Sequence, residues 1–172
     1  MNNIYFGKHK STIDTPALLL DVEAMERNLM KMAGFFAGKD VQLRPHVKLY
    51  RATPQLANKQ IAAGAIGCTC AKLSEAEVLA SSGIENILIA NQVVGKIKME
   101  RLVKLARIAN VMVAVDNPDN VLELSSYAQS HGVEIGALVE VNIGHNRCGV
   151  APFGPALKLS KLVLEKPGFR LR

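Results

Sequence analysis

Short apolar segments alternate with amphipathic segments along the chain. The apolar segments predict β-strands at residues 17–20, 41–47, 65–71, 86–90, 111–115, 136–143 and 169–171. Most of them recur after about two dozen residues, which leaves room for one helix between neighbouring strands. The sequence therefore predicts a regular alternation of strand and helix.

The segments between the strands have the periodicity of amphipathic helices. Residues 22–37 place Met25, Leu29, Met32, Phe35 and Phe36 on one helical face, which predicts that this face packs against other elements. The same kind of pattern predicts helices over residues 52–63, 73–83, 95–109, 117–132 and 155–165.

Several predicted helix ends carry residues suited to that position. Gly64 follows the helix at 52–63, where a glycine in the left-handed conformation is common. Ser74 and Glu77 have the spacing of a capping box at the start of the next helix. Asn117, which is followed by proline, predicts the start of another helix, and Gly132 predicts its end.

The predicted strands are apolar along most of their length. Such strands are typical of a parallel sheet that helices cover on both faces, with right-handed crossovers between the strands. An open doubly wound sheet and a (β/α)8 barrel both satisfy this pattern. The glycine-rich GxGxxG turn of dinucleotide-binding sheets does not follow the first strand, so that version of the open sheet lacks support.

Polar side chains occur where the predicted strands end. In a (β/α)8 barrel these ends meet at one edge, which carries the active site. A surface position would explain any one of these residues, but five successive strands deliver them to one edge, which favours the barrel. The residues are His46, Lys48, Lys72, Asn91, Gln92, Asp116, Asn117, Asn142, His145, Asn146 and Arg147.

The length of the chain predicts an incomplete barrel. A full (β/α)8 barrel takes roughly 250 residues, whereas this chain has 172 and ends as a further strand begins. We therefore expect residues 1–172 to form one partial barrel domain, from which the later strands and any closing β-domain are absent.

Composition and charge exclude several classes of protein. Hydrophobic residues make up 49% of the chain and charged residues 21%, which is typical of a globular protein. The net charge of +6 comes from scattered basic residues, so no nucleic-acid partner is predicted. No apolar run is long enough to cross a membrane and no secretory signal is evident, which predicts a cytoplasmic protein. The three cysteines are expected to be free thiols.

Lys48 is the candidate for covalent chemistry. It follows Leu43-Arg-Pro-His-Val at the end of a predicted strand, where a barrel mouth would surround it with apolar groups and other cations. Both conditions favour the neutral amine, which is the form that attacks an aldehyde. The alternative from position alone is a surface lysine just beyond a strand.

Six short runs follow one another along the chain. They are Asp14-Thr-Pro-Ala17, Leu43-Arg-Pro-His-Val-Lys48, Ala62-Ala-Gly-Ala-Ile-Gly67, Cys70-Ala-Lys-Leu-Ser-Glu-Ala-Glu77, Asn86-Ile-Leu-Ile-Ala-Asn91 and Asn146-Arg-Cys-Gly-Val150. In this order they resemble the D-threonine aldolase and D-serine dehydratase family, which uses pyridoxal phosphate on the alanine-racemase type of barrel, known as fold type III. The resemblance covers nearly the whole chain and implies its N-terminal barrel portion.

The resemblance implies roles for two residues. Lys48 would carry pyridoxal phosphate as a Schiff base, and Arg147 would lie near the cofactor ring, against its phenolate oxygen. A guanidinium suits that place because it can hold the oxygen ionised. For Arg147 the alternative is a surface residue at a helix start.

The chain departs from the family after Lys48. The family commonly continues Lys-Thr-His-Lys, whereas this chain has Lys48-Leu-Tyr-Arg51, so any role of that Thr and His is in doubt. Tyr50 could replace the His as a proton donor or could simply pack. The family's divalent metal is expected to bind beyond residue 172, because the four histidines show no spacing of a metal site. We therefore assign no metal ligand.

The resemblance implies a lyase that acts on D-3-hydroxy amino acids. One reaction is retro-aldol cleavage to glycine and an aldehyde, as in D-threonine aldolase, and the alternative is deamination of the D-serine dehydratase kind. The chain alone is expected to be inactive, and a complete enzyme is expected to be a homodimer. Two further alternatives are a non-catalytic barrel that binds pyridoxal phosphate and an inactive remnant.

Overall fold

The computed structural model describes residues 6–172, which alternate between helices and short strands. The strands are β1 (Cys68–Cys70), β2 (Asn86–Ile89), β3 (Asn110–Val115), β4 (Ile135–Val139) and β5 (Phe169–Leu171). The helices are α1 (Val22–Phe36), α2 (Pro54–Ala62), α3 (Leu73–Ser81), α4 (Lys96–Leu105), α5 (Pro118–His131) and α6 (Gly154–Glu165). Two 3₁₀ turns cover Lys10–Thr12 and Lys48–Tyr50.

The five strands form one parallel sheet in which spatial order equals chain order, β1-β2-β3-β4-β5. Each strand pairs with the next one, for example Ile89 with Val113 and Val115 with Val139. In a doubly wound sheet the order of the strands reverses at a switch point. A strand order that advances in one direction only is the pattern of a (β/α) barrel. The prediction of a partial parallel barrel is thus confirmed.

Two predicted strands are not formed as expected. Residues 17–20 are outside any strand, and Leu18 is fully exposed. Residues 41–47 contribute only one isolated bridge, between His46 and Thr69. Around this bridge the Thr69 N–H donates to Pro45 O at 2.8 Å and the Val47 N–H donates to Thr69 O at 2.8 Å. Because Pro45 has no N–H, it cannot donate a backbone hydrogen bond to a neighbouring strand, which limits the pairing of this segment.

The core lies between the sheet and helices α2 to α6. Strand β3 is buried from Val111 to Val115, as expected for a strand that is covered on both faces. Leu79, Met99 and Leu124, from three successive helices, belong to the same buried cluster and have no exposed surface. Helix α1 buries no residue, so the apolar face predicted for it is only partly covered: Met25, Leu29 and Phe36 are half-buried, whereas Met32 and Phe35 are exposed.

Three of the four predicted helix ends are confirmed and one is wrong. Gly64 follows the end of α2 with a φ of 105°. Asn117 caps α5 by accepting the N–H groups of Asp119 and Asn120, and Gly132 ends this helix with a φ of 62°. The predicted capping box of α3 is shifted along the chain. Glu75, not Glu77, accepts the backbone N–H groups at the start of the helix, at 2.8 Å from Ala71 and 3.2 Å from Lys72.

In the described part of the chain, every helix is too short or too polar to cross a lipid bilayer.

Candidate functional site

Hydrogen bonds tie the segments that follow the strands into one edge of the sheet, which we call the C-terminal edge. The Asn91 side chain, after β2, donates to Ala71 O, after β1, at 3.3 Å. Gln92 Nε2 donates to Glu140 Oε2, after β4, at 2.6 Å. The predicted residues Asn91 and Gln92, after β2, are therefore bonded to the segments that follow β1 and β4, although their partners, Ala71 O and Glu140, were not predicted.

Lys48 directly follows residues 41–47, the segment that bridges to β1 at His46, and is the first residue of the 3₁₀ turn Lys48–Tyr50. Its backbone N–H donates to Nδ1 of His46 at 3.2 Å, and Val47 between them is fully buried. The Lys48 side chain is exposed, and Leu49 beside it is 91% exposed. The enclosed apolar mouth expected around Lys48 is not formed by residues 6–172.

The imidazole of His46 lies close to two charged side chains. Its pKa is lowered from the usual value, first by partial burial and then by the positive charge of Lys48, while the carboxylate of Glu75 acts in the opposite direction. Glu75 also contacts Lys72 Nζ at 3.8 Å. The amine of Lys48, the imidazole of His46 and the carboxylate of Glu75 therefore lie in the same part of the C-terminal edge, beside β1.

Tyr50, in the turn that Lys48 begins, has a packing role. Its hydroxyl donates to Gln60 Oε1 on α2, and its ring packs against the buried core. Burial, together with the neighbouring Cys68 thiol, raises the pKa of Tyr50 well above its usual value. The structure therefore favours the packing interpretation of Tyr50 over that of a proton donor.

Arg147 lies on a closed loop between β4 and α6. A bridge between Val141 and Val150 closes the loop, with the Asn142 N–H donating to Val150 O at 2.9 Å. Inside the loop Asn142 Oδ1 accepts the N–H groups of Gly144 at 2.9 Å and Asn146 at 3.1 Å. The backbone that carries Arg147 is ordered by these bonds, while Arg147 itself is exposed.

The loop is also fastened to neighbouring strands on the other side of Arg147. The Cys148 thiol donates to Glu140 Oε1 at 2.8 Å, and the Gly149 N–H donates to Asp116 Oδ2, after β3, at 2.9 Å. Glu140 was missed in the sequence, where it lies inside an apolar run predicted as strand. A single acidic residue in such a run was the available signal.

Between residues 6 and 172 no three His, Cys, Asp or Glu side chains are grouped closely enough to hold a metal ion. The absence of a metal ligand in this chain stays a prediction.

Comparison with known proteins gives the chain its relatives. Residues 20–172 match the family model described as "Alanine racemase, N-terminal domain". D-threonine aldolase of Arthrobacter sp. is 40% identical over 162 residues, which is 94% of this chain and 42% of that protein.

Solved structures agree with this match. The crystal structure of D-threonine aldolase from Filomicrobium marinum superposes with a TM-score of 0.89 at 47% identity, covering 92% of this chain and 43% of that one. D-threo-3-hydroxyaspartate dehydratase from Delftia sp. HT23 gives a TM-score of 0.80 at 28% identity, covering 93% of this chain and 42% of that one. The chain spans less than half the length of each of these proteins.

Proposed function

The chain belongs to the alanine racemase N-terminal domain family, and from this premise we propose that it is the cofactor-carrying part of a pyridoxal-phosphate-dependent lyase. Lys48 would hold the cofactor and Arg147 would bind its ring oxygen. The observation that carries the proposal is the position of Lys48, directly after the segment that bridges to β1 at His46, with its backbone N–H bound by the His46 ring. Residues 1–172 would form a single partial barrel domain of that enzyme.

The chemical nature of the donors at the C-terminal edge suits this cofactor. The edge offers a primary amine for an aldehyde and a guanidinium for an anionic oxygen. When bound, pyridoxal phosphate supplies a conjugated ring that withdraws electrons from the substrate. In this chain Lys48 would provide the amine, the imidazole of His46 holds its backbone, and Arg147 would favour the negative charge of the ring oxygen.

We propose D-3-hydroxy amino acids as substrates and retro-aldol cleavage as the reaction. In that reaction a base takes the proton of the β-hydroxyl and the Cα–Cβ bond breaks with its electron pair left at Cα. The aldehyde is released, and Cα takes up a proton to give glycine. This choice follows the 40% identity to an aldolase. The alternative is a dehydratase reaction, which removes the Cα proton and expels hydroxide, and the Delftia dehydratase supports it. Lys48 and Arg147 would serve both reactions equally.

Other parts of the proposal concern the whole protein. A divalent metal would bind outside the residues of this chain, and the active enzyme would be a homodimer. Three free thiols, at Cys68, Cys70 and Cys148, fit a reducing compartment, which we propose is the cytoplasm. A non-catalytic barrel that binds pyridoxal phosphate and an inactive remnant are the rivals that the experiments below distinguish.

The first experiment tests Lys48. The purified chain is mixed with pyridoxal phosphate, reduced with borohydride and digested, and the modified peptide is identified by mass spectrometry. We expect one modified lysine, Lys48, with no modification in Lys48→Ala and full modification in Lys104→Ala, an exposed control on α4. Modification spread over surface lysines, or none, would overturn the proposal and favour the remnant.

A second experiment tests the reaction. The chain is mixed with a separately expressed C-terminal portion of the Arthrobacter D-threonine aldolase, and D-threonine and D-threo-3-hydroxyaspartate are offered in turn. Glycine and acetaldehyde from D-threonine would support the aldolase, whereas ammonia from the second substrate would support the dehydratase. Binding of the cofactor at Lys48 without either product would favour the non-catalytic barrel.

A further inference from the structure

The carboxylate of Glu140 joins three segments of the C-terminal edge. Its Oε2 accepts from Gln92 Nε2, after β2, at 2.6 Å, and its Oε1 accepts from Cys148 Sγ, in the loop after β4, at 2.8 Å. Glu140 itself directly follows β4. Each carboxylate oxygen thus has a different partner from a different part of the chain.

The backbone of Glu140 is fixed as well. Its N–H donates to Val115 O at 2.9 Å, and its carbonyl accepts from the Val150 N–H at 2.9 Å. The carboxylate therefore starts from a rigid position, between β3 on one side and the end of the loop on the other. A half-buried acid with both oxygens engaged and both backbone groups bonded has little freedom to move.

The Cys148 thiol donates to Glu140 Oε1 and directly follows Arg147 in the chain, so both charges act on it. The two charges act in opposite directions on the thiol. The hydrogen bond to Glu140 is the larger effect and raises the pKa of Cys148, while Arg147 lowers it. The thiol therefore stays protonated near neutral pH and can serve as the donor to Glu140.

We propose that Glu140 is the positioning residue for Arg147, acting through the Cys148 thiol and locked in place by the amide of Gln92. Arg147 is exposed on a loop, and its long side chain has many rotamers, so its direction must be set by neighbours. Asn146 on one side is held by Asn142, and Cys148 on the other is held by Glu140. The part of the inference that concerns the cofactor rests on the proposed function, in which Arg147 binds the ring oxygen.

The first test uses the thiol as a reporter and needs no cofactor. Cys68 and Cys70 have no exposed surface, so in the folded chain iodoacetamide should react at Cys148. Glu140→Gln removes the charge that keeps the thiol protonated, and we expect faster alkylation at pH 7.5, by about tenfold for each pKa unit that is lost. The matched control is Glu123→Gln, at an exposed position on α5, which should alkylate at the wild-type rate. Circular dichroism confirms that each variant is folded.

Gln92→Ala provides a second variant that leaves Glu140 unchanged. It removes the bond that fixes the orientation of the carboxylate, so Glu140 can turn away from Cys148, and alkylation should again become faster, although less than in Glu140→Gln. If Glu140→Gln does not fold, this variant decides the proposal. Wild-type alkylation rates in every folded variant would overturn the positioning role.

The second test concerns Arg147 directly. In the chain loaded with pyridoxal phosphate, Arg147→Lys should raise the pH at which the visible absorbance changes, because the ring oxygen loses a partner that favours its ionised form. Glu140→Gln should raise it in the same direction, and Glu123→Gln should not. A wild-type midpoint in Glu140→Gln beside a shifted one in Arg147→Lys would overturn the proposal. If the wild-type chain takes no cofactor at Lys48, the proposed function fails, and the alkylation rates still decide whether Glu140 holds the loop.

Discussion

Nδ1 of His46 accepts the backbone N–H of Lys48 at 3.2 Å. A ring nitrogen that accepts a hydrogen bond carries no proton, so the neutral imidazole has its proton on Nε2. Protonation of Nδ1 would abolish this bond and would place a second cation beside the Lys48 amine. The charge state of His46 is therefore linked to the residue that we propose as the cofactor lysine.

The first prediction follows from the charges around His46. Its pKa should lie below the usual value of 6.5, because burial and the Lys48 charge both disfavour the imidazolium. Lys48→Met should raise this pKa, and Glu75→Gln should lower it. Titration of the imidazole by NMR measures both shifts, with Lys158→Met, at an exposed position on α6, as the matched control. An unchanged midpoint in Lys48→Met would mean that the two side chains do not interact.

A second prediction concerns the close approach of two segments at Gly67. A Cβ at this position would lie 2.1 Å from the backbone oxygen of Asn86, which cannot move without disturbing β2. Gly67→Ala should therefore destabilise the fold by about 2 kcal/mol or more, measured by urea unfolding. Gly34→Ala on α1 is the matched control. Its Cβ would meet no atom within 4 Å, and the lost glycine flexibility should make the variant more stable by about 0.5 kcal/mol.

A third prediction tests the start of α5. Asn117 accepts from the N–H of Asp119 at 2.7 Å and of Asn120 at 3.2 Å. Asn117→Ala leaves both donors without this partner and should cost about 1 kcal/mol of unfolding free energy. Asn117→Asp keeps the acceptor and should stay near the wild-type value. Equal losses in the two variants would show that the cap is not the cause.

The alternation of strands and helices could be predicted because hydrophobic patterns report burial directly. Strand β3 is the clearest case, since residues 111–115 are almost wholly apolar and form its buried part. Strand bounds could not be predicted as well, because pairing depends on the neighbouring strand. The predicted strand at 65–71 shrinks to Cys68–Cys70, and residues 41–47 pair only at His46.

The residues of the candidate site could be predicted where they lie within a continuous sequence motif. Lys48 and Arg147 were predicted from short motifs, because each lies within one continuous run. Glu140 could not be found in this way, because its importance comes from Gln92, which is 48 residues away, and from Cys148 across a loop. Contacts of this kind depend on how the strand ends converge, and that is a property of the folded sheet.

The last prediction concerns the ion pair between α3 and α4. The guanidinium of Arg101 donates from Nε to Glu77 Oε1 at 2.8 Å and from NH2 to Oε2, and this bond is the main reason why the pKa of Glu77 is lowered. Because the folded pKa lies below the usual 4.5, the pair adds stability above that value and loses it as the pH falls through the lowered pKa. Both side chains are about one third exposed, so screening by solvent keeps the contribution of the pair small. Glu77→Gln should therefore be less stable than wild type at pH 7 and equal to it in acid, as measured by urea unfolding at each pH.

The matched control is Glu100→Gln. In the wild-type chain the Glu100 carboxylate lies 4.0 Å from Lys96 Nζ, a longer contact, so this variant should lose less stability between acid and pH 7. Equal losses in the two variants would mean that the paired bonds from Arg101 add no stability beyond an ordinary surface contact.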